Sequence, residues 1–177
     1  MKKPVPLLFL DIDSTVRKGF DEVGHFINKP SDVEVFPEAV EQMRRWRRDG
    51  GRIVGISNQG GIAQGKVSEA MVALTMLETR AQCASMFDEV LWCPHYPDFT
   101  GPCWCRKPDI GNLIIAERRL QIQHPHEEYP HGSMLFVGDR PEDEKCAERA
   151  GIAFKWANIW RMQGRIGSAK AGQPGKP

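Results

Sequence analysis

Short continuous apolar runs alternate along the chain with stretches in which apolar residues return every three or four positions. PLLFLD (6–11), RIVGIS (52–57), EVLWC (89–93) and SMLFVGD (133–139) read as strands buried on both faces, and AFKWA (153–157) as a fifth. Between them, PEAVEQMRRWRRD (37–49) opens on Pro-Glu, sets Val40, Met43 and Trp46 on one face and stops at Gly50-Gly51, which predicts a helix. A longer helix is predicted over about 68–84, with Val67, Met71, Leu74, Leu77 and Ala81 as its apolar face. Asp109 is expected to cap a helix reaching about Leu120. Pro141 is expected to start one with an acidic first turn, which Gly151 closes.

Regular alternation of strand and helix predicts an α/β fold: a three-layer, Rossmann-like parallel sheet with helices on both faces. One domain over 1–160 accounts for the pattern, and the Gly-, Lys-, Arg- and Pro-rich segment 161–177 is expected to be a flexible basic tail. In such sheets, ligands bind at the carboxyl ends of the strands.

Polar residues gather at those ends. The first strand runs into DIDST (Asp11, Asp13, Ser14, Thr15) and the second into SNQGG (Ser57, Asn58, Gln59). Arg106 and Lys107 follow the third, and the fourth ends in GDRPED (Asp139, Arg140, Asp143). Taken singly, each motif reads as a turn, a helix cap or a surface charge. Together they predict phosphoryl transfer. Asp11 and Asp139 with a backbone carbonyl make an all-oxygen site that suits Mg²⁺. One aspartate can attack phosphorus and another, two residues on, can protonate the leaving oxygen. Ser57 and Lys107 supply a hydroxyl and a positive charge to the equatorial oxygens.

In order and spacing, DIDST, SNQGG, CRKP and VGDRPED resemble the four motifs of the haloacid dehalogenase-like phosphatases, over about residues 5–156. Within them the chain looks most like the branch of histidinol-phosphate phosphatase and heptose bisphosphate phosphatase. The resemblance implies Asp11 as nucleophile, Asp13 as general acid/base and main-chain Mg²⁺ ligand, and Ser57 and Lys107 as holders of the phosphoryl group. It also implies Asp139 as metal ligand, Asp143 as support behind it, and Asn58 and Arg106 as substrate contacts. Three positions depart from the branch: Ser14 stands where Gly is usual, Ser57 where Thr is commoner, and Arg140 where Lys is usual. The segment VRKGFDEVGHFINKP (16–30) is unlike the heptose enzymes.

Five cysteines, an odd number, in a chain without a recognisable secretion signal argue against a disulfide framework. Four residues of the Cys-rich stretch, Cys93, His95, Cys103 and Cys105, form C-x-H-x7-C-x-C, a closed set of three thiolates and an imidazole suited to structural Zn²⁺. The branch named above carries a loop of this form just before its motif-three lysine. Zinc there is expected to fix a proline-rich loop and aim Arg106 and Lys107. Cys83 and Cys146 are expected to be buried in helices.

A net charge of +1 gives no global attraction to nucleic acid or membrane, and no apolar run approaches the roughly 20 residues of a membrane span. The expectation is a cytoplasmic monomer. The gap between Thr15 and Pro37 leaves room only for a minimal cap, so the site should be open. Arg17, Lys18, Arg106, Gln59 and Arg140 are candidate contacts to substrate. The expected substrate is a small sugar (bis)phosphate or histidinol-phosphate-like metabolite. The alternative is the 3′-phosphate of a nucleic-acid end, for which RRWRRDGGR (44–52) would be the basic surface.

Overall fold

A computed structural model describes residues 1–163. In chain order its elements are β1 (Lys3–Pro4), β2 (Leu7–Leu10), α1 (Phe20–Val23), α2 (Pro37–Arg48), β3 (Arg52–Asn58), α3 (Glu69–Gln82) and β4 (Glu89–Cys93). There follow α4 (Pro97–Thr100), α5 (Gly111–Gln123), β5 (Glu127–Glu128), β6 (Met134–Gly138), α6 (Pro141–Ala150), β7 (Ala153–Trp156) and α7 (Ala157–Arg161). Single 3-10 turns lie at Pro30–Asp32 and His131–Ser133.

Five strands form one wholly parallel sheet in the order β4-β3-β2-β6-β7. The central strand shows why this sequence demands cover on both faces. Leu8 and Leu10 join Val40, Met43, Ile53 and Met76 in one buried cluster. Leu7 and Phe9 join Val54, Ile56, Leu120 and Phe136 in the other. Side chains alternate across a strand, so a run that is apolar at every position needs two cores. All five expected strands are present within two residues of their predicted ends. A two-stranded pairing of β1 with β5 ties the N-terminus to the segment that follows α5.

Three expectations give way. In α3 the inward residues are Val72, Thr75, Met76 and Thr79, while Leu74 and Leu77 are 47% and 60% exposed. Asp109 is not a cap: Ile110 takes that position, and the Asp109 carboxylate pairs with Arg149 at 2.6 Å. The tail does not begin at 161, because Arg161 closes α7 and makes buried contacts described below; the remainder of the expected tail, 164–177, lies outside the described residues. Cys83 and Cys146 are fully buried, and burial pushes both thiols up to about 12. Among the described residues no helix is long and apolar enough to cross a membrane.

Candidate active site

The carboxyl ends of β2, β3 and β6 open into a cavity of about 690 Å³. Asp11 follows β2 directly, and its amide donates to Val137 O, which keeps the chain in register one residue past the strand. The backbone then turns sharply. Ser14 adopts φ 59, the left-handed region that favours Gly. The serine hydroxyl donates to Glu22 Oε2 at 2.8 Å, and the same oxygen accepts the Gly19 amide at 2.7 Å. Glu22 thus ties the turn to the start of α1.

Lys107 is the hub. It is 4% exposed, and its ammonium contacts an Asp11 carboxylate oxygen, Asp143 Oδ1 at 2.7 Å and Ile56 O at 3.1 Å. Burial alone would lower its pKa, but Asp11 and Asp143 outweigh that and hold it above the ordinary lysine value. Asn58 fixes this lysine by its backbone: its Oδ1 accepts Lys107 N and its Nδ2 donates to Lys107 O, both at 3.0 Å. Both ends of the Asn58 amide are therefore engaged with the Lys107 backbone, while the residue also lines the cavity.

Asp143 is 1% exposed and caps α6, its Oδ2 accepting the amides of Asp139 at 3.2 Å and Arg140 at 3.1 Å. Gly138 is required here because a Cβ would sit 2.4 Å from the Asp143 carboxyl. Carboxylate oxygens of Asp11, Asp139 and Asp143 lie within 4.8 Å of one another. Burial raises the Asp11 pKa well above the usual carboxylate range; the charges of Asp143, Asp139 and Asp13 push the same way and Lys107 opposes them. Burial and then Asp143 raise Asp139 as well. Such a cluster carries more negative charge than its lysine offsets, and an all-oxygen set of this kind fits a hard divalent cation.

Asp13 is held by both oxygens. Oδ1 accepts Arg17 Nε at 2.8 Å, and Oδ2 accepts Gln59 Nε2 at 2.8 Å, which also donates to Ser57 Oγ at 2.8 Å. Arg17 is fully buried and bonded to α3. Its bonded donors go to Asp13 and α3, and the Gln59 amide donates to Asp13 and Ser57; both residues line the cavity. Lys18 pairs with Glu34 rather than projecting into the cavity. Arg106 and Arg140 line the cavity as well. Arg106 donates to His95 O at 3.0 Å and lies 5.3 Å from the Tyr96 ring centroid.

Sequence reasoning missed Arg161. From α7 it donates to Ser14 O at 2.7 Å and Thr15 O at 2.9 Å, with its guanidinium 4.0 Å from the Phe36 ring centroid. No local pattern signals a contact across 147 residues. Phe20 and Phe26 were also missed. Their rings pack at 4.9 Å at the cavity mouth, 47% and 61% exposed.

The Cys-rich loop brings its four expected ligands together. Cys105 Sγ lies 3.2 Å from Cys93 and 3.6 Å from Cys103, and His95 Nδ1 lies 3.2 Å from Cys105 and 3.6 Å from Cys93. Disulfide sulfurs sit about 2 Å apart, so none is joined. In a tetrahedron with bonds of about 2.3 Å the ligand atoms stand about 3.7 Å from each other, close to what is seen.

No protein-family profile matches the chain. It is 32% identical over 165 residues to D-glycero-beta-D-manno-heptose-1,7-bisphosphate 7-phosphatase of Escherichia coli strain K12, covering 88% of this chain and 80% of that protein. It is also 32% identical over 156 residues to D-glycero-alpha-D-manno-heptose-1,7-bisphosphate 7-phosphatase of Photorhabdus laumondii, covering 84% and 79%. Among solved structures, D,D-heptose 1,7-bisphosphate phosphatase from B. bronchiseptica, complexed with magnesium and phosphate, superposes with a TM-score of 0.69 at 26% identity, over 85% of this chain and 79% of that one.

Proposed function

The chain belongs to the haloacid dehalogenase-like phosphatases, the family of the heptose bisphosphate phosphatases to which it is similar, and from that premise we propose that it hydrolyses a small sugar bisphosphate through an aspartyl-phosphate on Asp11. The observation that carries this reading is the convergence of Asp11, Asp13, Ser57 and Lys107 on one cavity, with Asp11 touching Lys107 and carboxylate oxygens of Asp11 and Asp139 within 4.8 Å of each other. A carboxylate oxygen of Asp11 attacks phosphorus and the bond to the leaving oxygen breaks, its electron pair passing to that oxygen. Asp13 gives the leaving oxygen a proton, then takes one from the water that cleaves the acyl phosphate. Lys107 and Ser57 Oγ meet the non-bridging oxygens where charge builds up. Asp11, Asp139 and the Asp13 carbonyl would hold Mg²⁺, with Asp143 committed behind them to Lys107 and to the amides of Asp139 and Arg140. The cation offsets carboxylate and phosphate charge. Cys93, His95, Cys103 and Cys105 would hold a structural Zn²⁺ that fixes the loop carrying Arg106. Arg106, Arg140 and Lys66 line the cavity as cations for a second phosphate.

A second reading has one observation behind it. The Phe20–Phe26 pair and Tyr96 give the mouth an aromatic wall, which suits a base-bearing substrate such as a 3′-phosphorylated oligonucleotide. The basic run in α2 supports it less, since Arg44, Arg45 and Arg48 share Glu41 and Arg47 pairs with Asp88. Magnesium-dependent phosphate release from heptose 1,7-bisphosphate, histidinol phosphate and a 3′-phosphorylated oligonucleotide separates the readings, with Asp11→Asn as control. Turnover of the bisphosphate is expected. Preference for the oligonucleotide would transfer the assignment, and equal release by the control would remove both.

A further inference from the structure

We propose that Arg17 is a positioning residue that fixes which oxygen of Asp13 exchanges the proton; this rests on the reading of Asp13 as the acid/base. Arg17 has 0% exposure and is the largest fully buried side chain among the described residues. A buried guanidinium needs acceptors for its donors, and it finds them in two places. Nη1 donates to Thr79 Oγ1 at 3.0 Å and to Thr75 O at 3.3 Å, both on α3, and Nε donates to Asp13 Oδ1 at 2.8 Å. Thr79 Oγ1 in turn donates to Thr75 O at 2.8 Å, so the anchor is itself closed. The backbone reinforces the arrangement: Arg17 bridges to Asp13 on one side and to Val35 on the other.

The other side of Asp13 is different in kind. Its side chain is 35% exposed and lines the cavity, and among the described residues Oδ2 meets only Gln59 Nε2, a donor shared with Ser57 Oγ. One oxygen is therefore pinned to the helical layer by a charge-assisted bond, and the other is held by a contact that a substrate oxygen can replace. Oδ2 is the oxygen that carries the proton to the departing oxygen. As the P–O bond breaks and its electron pair moves to that oxygen, the proton passes from Oδ2 to it and Asp13 is left ionised beside Arg17. Without Arg17 the carboxyl is oriented only by the replaceable Gln59 contact, and proton delivery loses its aim.

Proton delivery matters in proportion to how badly the leaving group needs it. Phenoxide, whose conjugate acid has a pKa of about 10, needs protonation far more than 4-nitrophenoxide does. The test is kcat/KM for phenyl phosphate and for 4-nitrophenyl phosphate, measured on the magnesium-loaded full chain. Their ratio does not depend on how much of a variant folds. Asp13→Asn should depress phenyl phosphate about 100-fold more than 4-nitrophenyl phosphate. Arg17→Met should show the same selectivity at about tenfold, Thr79→Val a smaller one, and Arg17→Lys should recover part of it. If Asp13→Asn is selective and Arg17→Met lowers both substrates equally, Arg17 is a packing residue and the inference fails alone. If Asp13→Asn shows no selectivity, the acid/base reading of Asp13 fails first.

Discussion

The two ends of the central sheet hold comparable sets of buried and half-buried charges, and they settle them in opposite ways. At the amino end, Arg52 forks onto both Glu127 oxygens at 3.0 and 2.7 Å and reaches Asp88 at 3.1 Å. Asp88 also takes Arg47 at 2.8 Å and the Ile53 amide at 2.8 Å, and Tyr129 donates to Glu127 at 2.8 Å. Two cations meet two carboxylates, and hydrogen bonds to Arg52 hold the Glu127 carboxyl down at about 2. At the carboxyl end, four carboxylates, Asp11, Asp13, Asp139 and Asp143, share three cations, Lys107, Arg17 and Arg140, and the Asp11 carboxyl is driven up instead. One end is satisfied by the chain alone. The other is left in need of a cation and a ligand, which is what a site costs in stability.

The sharpest way to break this contrast is Asp11→Asn. Activity should fall by about 10³-fold or more, since the attacking oxygen is gone. Thermal unfolding in the presence of EDTA should move upward, because a buried carboxylate facing three others has been neutralised. A variant that loses activity and also loses stability without metal would show that the cluster is not under charge stress.

Next in size is the Cys-rich loop, which lies at the ligand end but is organised like a structural feature. Cys105→Ser, or stripping metal with a strong chelator, should lower kcat/KM about 10- to 100-fold by releasing Arg106 and the backbone before Lys107. Metal content by mass spectrometry should fall by one zinc per chain. Unchanged kinetics in the zinc-free protein would separate the loop from the phosphate site.

At the opposite end, Arg52→Met should leave kcat/KM unchanged and cost about 2 kcal/mol in denaturant unfolding, because Glu127 and half of Asp88 lose their partner. A drop in activity at constant stability would erase the division between the ends.

How much of this was legible beforehand follows from the range of each interaction. The strands could be read because β2, β3 and β6 need apolar residues at nearly every position, and the motif aspartates could be read because they follow those strands directly. The face of α3 could not. Counting apolar residues favours Leu74 and Leu77, yet the helix turns Thr75 and Thr79 inward, where Thr79 Oγ1 and Thr75 O accept from the buried Arg17. A polar residue that satisfies a distant buried cation has no local signature. The same holds for Arg161 on the Ser14 and Thr15 carbonyls, and for Asn58, whose amide serves the Lys107 backbone 49 residues away. Glu22 was within reach: a left-handed serine in place of glycine invites a nearby acceptor.

The smallest expected effect sharpens the amino-end half of the contrast through pH. Glu127 in the folded chain titrates at about 2, against an ordinary value of 4.5. A depressed carboxyl stabilises the fold wherever it is ionised in both states, so its contribution is complete above pH 4.5 and disappears as the pH falls toward 2. With the pair partly open to solvent, that contribution is about 1 kcal/mol at neutral pH. Glu127→Gln should therefore melt a few degrees below the parent at pH 7, and the two curves should converge by about pH 2. A gap that stays constant across that range would mean that Glu127 acts through packing and its hydrogen bond to Tyr129 rather than through charge, and the amino end would then owe its stability to shape instead of to balanced ions.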